Sequence, residues 1–127
     1  MSGYRARDTG MAGEEAVSRY LETLGQTIHH RNWRTRRGEI DIISGDADTL
    51  YFIEVKTWPR GAAADLDIVI GPKKRLRMIE TAKYFLSLHR QYKGMYIQFD
   101  VILVSSDPLK DAELRIEHLK DAFSEHD

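Results

Sequence analysis

Hydrophobic positions along the chain change their period several times, and the changes mark the elements. Between Gly13 and Leu24, the residues Ala16, Tyr20, Leu21 and Leu24 recur at helical spacing, and Gly25 follows as a C-terminal stop. Gln26–Trp33, Glu39–Ser44 and Thr49–Thr57 then predict three strands, the third rich in aromatic and β-branched residues. Gly45-Asp46-Ala47-Asp48 carries turn chemistry between the second and third. Pro59–Ala64 reads as a loop, and Gly71-Pro72 opens a long helix running to about Gln91. Leu76, Ile79, Ala82, Phe85 and Leu86 form the apolar face of that helix. Met95–Val104 is almost continuously apolar, the pattern of a strand covered on both faces. Leu114, Ile116 and His118 alternate as a last strand, and Lys120–Phe123 reads as a short helix.

The order is helix, three strands, helix, two strands. A long helix between strands acts as a crossover, so an α/β fold is expected, with a mixed central sheet flanked by helices. The 127 residues suit one domain, with its core over about residues 8–123. No stretch approaches the roughly 20 apolar residues that a membrane span needs. The polar start of the chain, with Arg5, Arg7 and Asp8, lacks the apolar core of a secretory signal. There are no cysteines, which excludes disulfides and thiolate metal sites. A cytoplasmic protein with no membrane partner is the reading these features give.

Net charge, at −1, argues against a strongly basic nucleic-acid binder, but its distribution changes the picture. Acids outnumber bases by four over Asp107–Asp127, and bases outnumber acids by three in residues 1–106. Ile28–Arg37 holds four arginines and no acid, and Lys73-Lys74-Arg75-Leu76-Arg77 is a second basic cluster. Arg34, Arg36, Arg37, Lys73, Lys74 and Arg77 are therefore candidates for phosphate contacts, a solvated basic surface being the plainer alternative.

Two strands also carry charge where apolar residues are expected. Glu39 and Asp41 alternate in the second strand, and Glu54 and Lys56 in the third. In a hairpin that sets Asp41 opposite Glu54 and Glu39 opposite Lys56, Asp46–Thr49 remain as a four-residue loop. Carboxylates about 5 Å apart repel unless a cation lies between them. Mg²⁺ suits such a pair, with Mn²⁺ as the alternative, and the Val55 carbonyl could add a further ligand. A cation held there would polarise a phosphoryl oxygen, and Lys56 would orient water or offset phosphate charge. The plainer reading is a solvated Glu-x-Lys face with a Glu39–Lys56 cross-strand salt bridge. Asp100, inside an apolar strand, needs a partner, and either a supporting acid or a structural salt bridge fits it. The five histidines show no metal-ligand spacing.

Asp41 followed by Glu54-Val55-Lys56 resembles the Asp-(x)n-(Asp/Glu)-x-Lys motif of the restriction-endonuclease-like nucleases. The wider pattern includes Gly13-Glu14, Tyr20-Leu21, Gly25, Arg31-Asn32, Arg37-Gly38-Glu39-Ile40-Asp41, Lys74, Phe99-Asp100-Val101 and Ala122-Phe123. It resembles the YraN family (UPF0102), a bacterial family similar to Holliday junction resolvases. That resemblance implies a restriction-endonuclease-like αβββαβ core and Mg²⁺-dependent phosphodiester hydrolysis on nucleic acid, DNA in particular and branched DNA among its forms. It implies Asp41 and Glu54 as metal ligands, Lys56 as the catalytic lysine, and Lys74 near the phosphate backbone. By the same analogy Glu14 is an additional acid at the metal site, where the residues alone suggest a favourable charge in the first turn of a helix. It also implies pairing of two copies in a homodimer. The alternatives are a non-catalytic nucleic-acid-binding module of the same fold and a protein-interaction domain using the acidic C-terminal segment.

Overall fold

The computed structural model describes residues 2–57, 69–105 and 115–126, with side chains from Gly13 onward. Helix α1 spans Ser2–Thr23, and strands β1 (Thr27–Thr35), β2 (Gly38–Gly45) and β3 (Thr49–Thr57) follow. Helix α2 (Pro72–Leu88) leads through a short 3₁₀ turn, Arg90–Tyr92, to β4 (Tyr96–Val104) and β5 (Ile116–Phe123). The strands form one mixed sheet in the order β1-β2-β3-β4-β5. Among the described strands only β3 and β4 are parallel, as a crossover through α2 requires. The expected αβββαβ order is present, with β5 added at the edge. The stretch 59–64, expected to be a loop, lies outside the described residues.

Each face of the sheet carries its own apolar layer. Val17 and Leu21 of α1 pack on Ile42, Ile53, Ile102 and Val104. Met78, Ile79, Ala82 and Phe85 of α2 pack on Ile40, Ile43, Phe52 and Val101 of the other face. β4 thus contributes to both layers, which is why its sequence is apolar almost throughout. Gly25 ends α1 at φ 86°, a left-handed conformation glycine adopts without penalty, and the Gln26 N–H returns to the Leu21 carbonyl at 3.1 Å.

Two expectations about α2 and the last element fail. Leu76 is 61% exposed, because the inward positions of the first α2 turn go to Lys74 and to Arg75, whose Nε donates to the Ile70 carbonyl. Lys120–Phe123 is strand, not helix. Phe123 pairs with Phe99 in the ladder and stacks on its ring at 5.0 Å, which holds the chain extended as far as Phe123. An irregularity at Asp121, φ 50°, absorbs the shift in register on the way.

A second irregularity bears directly on the site. Ile40 and Ile43 both face α2 although three residues apart, whereas Ile42 faces α1. Strict alternation forbids this. The break lies where Asn32, at φ 53°, interrupts the β1–β2 ladder between Arg31↔Ile42 and Trp33↔Ile40. Asparagine tolerates this backbone better than most residues. Asp41 sits at the same level and so escapes the regular pleat.

Candidate functional site

The β2–β3 ladder has the expected register, from Gly45↔Leu50 to Ile42↔Ile53. Asp46 fixes the turn by accepting the N–H groups of Asp48 and Thr49 at 3.2 and 2.9 Å. Beyond Ile42 the strands part, so Asp41 and Glu54 are not a ladder pair. The Asp41 Oδ2 atom instead accepts the Val55 N–H at 2.8 Å. Amide and carbonyl of one strand residue project to the same side, so the Val55 carbonyl is aimed at this opening too.

Three acids meet there. Glu54 is buried, with 3% of its surface exposed, and its carboxylate is ion-paired with the Lys74 ammonium from α2. Asp41 is pushed up to about 8, first by burial, then by the hydrogen bond and charge of Glu54 and the more distant charge of Glu14. The Val55 N–H works against that shift. Glu14 is raised by burial as well, with the Asn32 side chain and Arg31 opposing and Glu39 and Glu54 adding to it. Glu14 Oε1 and Thr57 Oγ1 are buried without a hydrogen-bond partner among the described residues. They belong to one corner: a Cβ added at Gly13 would run into Thr57 Oγ1, so glycine is what lets α1 approach the end of β3.

A basic cleft of about 390 Å³ adjoins this corner, lined by Arg36, Arg37, Lys74 and Arg77 among others. Lys74 thus belongs to both the cleft and the carboxylates. Lys73 is exposed on the first turn of α2 and does not line the cleft. Glu39 also lines it but faces Arg34 of β1, with Nε and Oε2 2.9 Å apart. The expected Glu39–Lys56 pairing is therefore absent: β2 keeps its ladder with β1 to Thr35↔Gly38 after it has left β3. Lys56 is half-buried on β3, two residues beyond Glu54 and so on the same face.

Asp100 stands apart. Its carboxylate accepts from His118 Nε2 at 2.6 Å, Gln98 Nε2 at 2.9 Å and the Asp121 N–H at 2.9 Å, and His118 Nδ1 meets the Tyr20 hydroxyl at 2.9 Å. This network ties α1, β4 and β5 together and does not reach the other acids. Asn32, present in the sequence only as part of the family pattern, and Thr57, only as the end of a strand, carry no site role there. The former carries a signal, as an asparagine between Arg31 and Trp33 within a strand.

Among the described residues no group of three or more His, Cys, Asp or Glu side chains stands close enough together to hold a metal ion. By chemistry alone, carboxylates such as Asp41 and Glu54 are donors of the type a hard divalent cation takes. Burial and the neighbouring Glu54 carboxylate raise Asp41, and Glu14 Oε1 has no hydrogen-bond partner among the described residues. No helix among the described residues is long and apolar enough to cross a membrane.

The sequence model of the family described as "Uncharacterised protein family UPF0102" matches residues 13–104, which hold all of these acids. The chain is similar to a "UPF0102 protein" of Treponema denticola, 46% identical over 123 residues covering 91% of this chain and 95% of the relative. Another from Treponema pallidum is 46% identical over 116 residues, covering 91% and 92%. One from Syntrophus aciditrophicus is 39% identical over 115 residues, covering 91% and 87%.

Proposed function

The chain belongs to the UPF0102 family, and we propose that it is a divalent-metal-dependent endonuclease-like protein of the cytoplasm that hydrolyses phosphodiesters in DNA. One observation carries this reading: the crowded Asp41–Glu54 pair opens beside a cleft of basic side chains. Carboxylates pressed together out of water favour a proton or a cation between them. A cleft of arginine and lysine beside them suits a phosphodiester.

Asp41, Glu54 and Glu14, with the Val55 carbonyl, would hold Mg²⁺, or Mn²⁺ in its place. When bound, the cation would offset phosphate charge and acidify a water. Lys74, Arg36, Arg37 and Arg77 would grip non-bridging phosphate oxygens and so fix the strand. Lys56, on the same face as Glu54, would orient the attacking water and neutralise charge that builds on the phosphate. Water attacks phosphorus to form one P–O bond and gives a proton to solvent, while the P–O bond to the sugar breaks and the departing oxygen takes a proton from solvent. The likeness to Holliday junction resolvases favours branched DNA, and two paired copies would reach both strands.

A second reading is a nucleic-acid-binding module that does not cut. The Lys74 ammonium already on Glu54, and the lack of a finished ion cage among the described residues, favour it. The two separate in a cleavage assay on linear and four-way-junction DNA with Mg²⁺ or Mn²⁺. Metal-dependent cutting that is lost in Glu54→Ala supports the nuclease. Salt-dependent binding without cutting in either metal selects the module. Calorimetric metal binding that persists in Asp41→Ala/Glu54→Ala removes the site assignment.

A further inference from the structure

The basic cleft does not end at the β1–β2 turn. A second cavity, of about 480 Å³, lies on the other side of Thr35, Arg36 and Arg37 and shares those three residues with it. Its remaining lining is of another kind: Trp33, Tyr84 and Leu88, together with Arg34. Side by side across that shared wall, the two cavities make a trough that is charged at Lys74 and Arg77 and aromatic at Trp33 and Tyr84. We infer that this trough binds an unpaired stretch of the nucleic acid, phosphates at Lys74 and Arg77 and a base against Trp33 and Tyr84. The inference rests on the nucleic-acid part of the proposed function and is independent of cleavage.

The chemistry favours a single strand over a duplex. A duplex keeps its base faces inside the stack and presents phosphates and groove edges, so an aromatic pocket beside the phosphate cations has nothing to take. An unpaired nucleotide offers both, and a basic groove with aromatic platforms is how sequence-tolerant single-strand binding is built. The electrostatics agree. Glu39 is neutralised by Arg34, while Arg36 and Arg77 have no acidic partner among the described residues. The Arg37 guanidinium lies 5.0 Å from the centre of the Tyr84 ring, a cation–π contact that fixes the arginine at the junction of the two cavities. Trp33 is braced edge-on against Phe85 at 5.1 Å, and Leu88 is 56% exposed at the rim. The carboxylates lie beside the charged end, so a strand seated in the trough delivers a phosphate to them.

The test uses the full chain in EDTA, where cleavage plays no part, and fluorescence anisotropy with labelled deoxyoligonucleotides. Three probes of equal length are compared: a thymidine single strand, a blunt duplex, and a single strand of abasic sites. The expected result is that the single strand binds more tightly than the duplex, and that removing the bases weakens binding roughly tenfold. Tyr84→Leu should weaken thymidine binding several-fold more than abasic binding, which it lowers only by releasing Arg37, and an equal loss for both strands overturns the inference. Equal binding of thymidine and abasic strands by the wild type overturns the inference without any variant. So does a duplex that binds as tightly as the single strand, and the nuclease reading would survive that result if the duplex is cut with Mg²⁺. No binding of any DNA at low salt overturns both.

Discussion

The Lys74 ammonium is the counter-ion of the Glu54 carboxylate, reaching from α2 to β3, with side-chain exposures of 37% and 4%. Truncating Lys74 leaves a buried carboxylate next to Asp41 with no positive charge between them. Losing one partner of a fully buried pair costs about 3–5 kcal/mol, and the partial exposure of Lys74 brings the expected cost of Lys74→Ala to about 2 kcal/mol. A divalent cation supplies the missing charge, so Mn²⁺ should raise the melting temperature of Lys74→Ala more than that of the wild type. Thermal unfolding with and without Mn²⁺ measures this. An equal Mn²⁺ effect in Lys74→Ala and Lys74→Ala/Glu54→Gln would show that the cation acts elsewhere.

Asp41 holds its proton more tightly in the folded chain than in the unfolded one, at about 8 against an ordinary 3.8. Between those values the folded state binds more protons. The contribution of Asp41 to stability is therefore complete below about pH 4 and is lost as pH rises through about 8, by up to about 1.4 kcal/mol per pH unit. Asp41→Asn should flatten that slope. Metal binding has the opposite sign, since a cation needs the charged carboxylate: affinity rises with pH over this window and protons are released. Urea unfolding near pH 5 and near pH 8 compares the two chains. A wild-type slope no steeper than that of Asp41→Asn contradicts the prediction.

Much of this corner is legible in the sequence, for local reasons. The hairpin register follows from a short loop with a turn-forming Asp46, and that register brings Asp41 and Glu54 to one end of two neighbouring strands. What lies beyond local reach is tertiary. Glu39 prefers Arg34 to Lys56 because β2 stays with β1 after leaving β3, and alternation within β2 cannot reveal that. Lys74 is recognisable as a basic residue near phosphate, but its contact with Glu54 depends on how α2 is laid on the sheet. Phe123 is held in a strand by Phe99, 24 residues earlier, against a local pattern that suggests a helix.

Gly13 and Thr57 set the distance between α1 and the end of β3. A methyl group at Gly13 collides with Thr57 Oγ1, an atom that already lacks a hydrogen-bond partner. Gly13→Ala should cost about 1–3 kcal/mol as an overpacked contact, and it should also displace Glu14. Thr57→Ala removes both the obstacle and an unsatisfied hydroxyl. The double variant should therefore be more stable than Gly13→Ala alone, a coupling of at least about 0.5 kcal/mol in a double-mutant cycle by chemical denaturation. Simple additivity would place the clash elsewhere.

Asp100 tests the boundary of the site. Its carboxylate satisfies the His118 ring, the Gln98 amide and the Asp121 N–H, and the last of these lies at the irregularity where β5 changes register. Asp100→Ala strips all three at once in a fully buried place and should cost about 3 kcal/mol. Asp100→Asn keeps an oxygen for the Asp121 N–H, and the other tautomer of His118 can still accept from the new amide, so its cost should be nearer 1 kcal/mol. Hydrogen exchange at the Asp121 amide separates the two variants: fast in Asp100→Ala, still protected in Asp100→Asn. None of these bonds reaches Asp41, Glu54 or Glu14, so Mn²⁺ affinity should be unchanged in any Asp100 variant that remains folded. A loss of Mn²⁺ binding in Asp100→Asn as large as that in Asp41→Ala would instead make Asp100 part of the metal site.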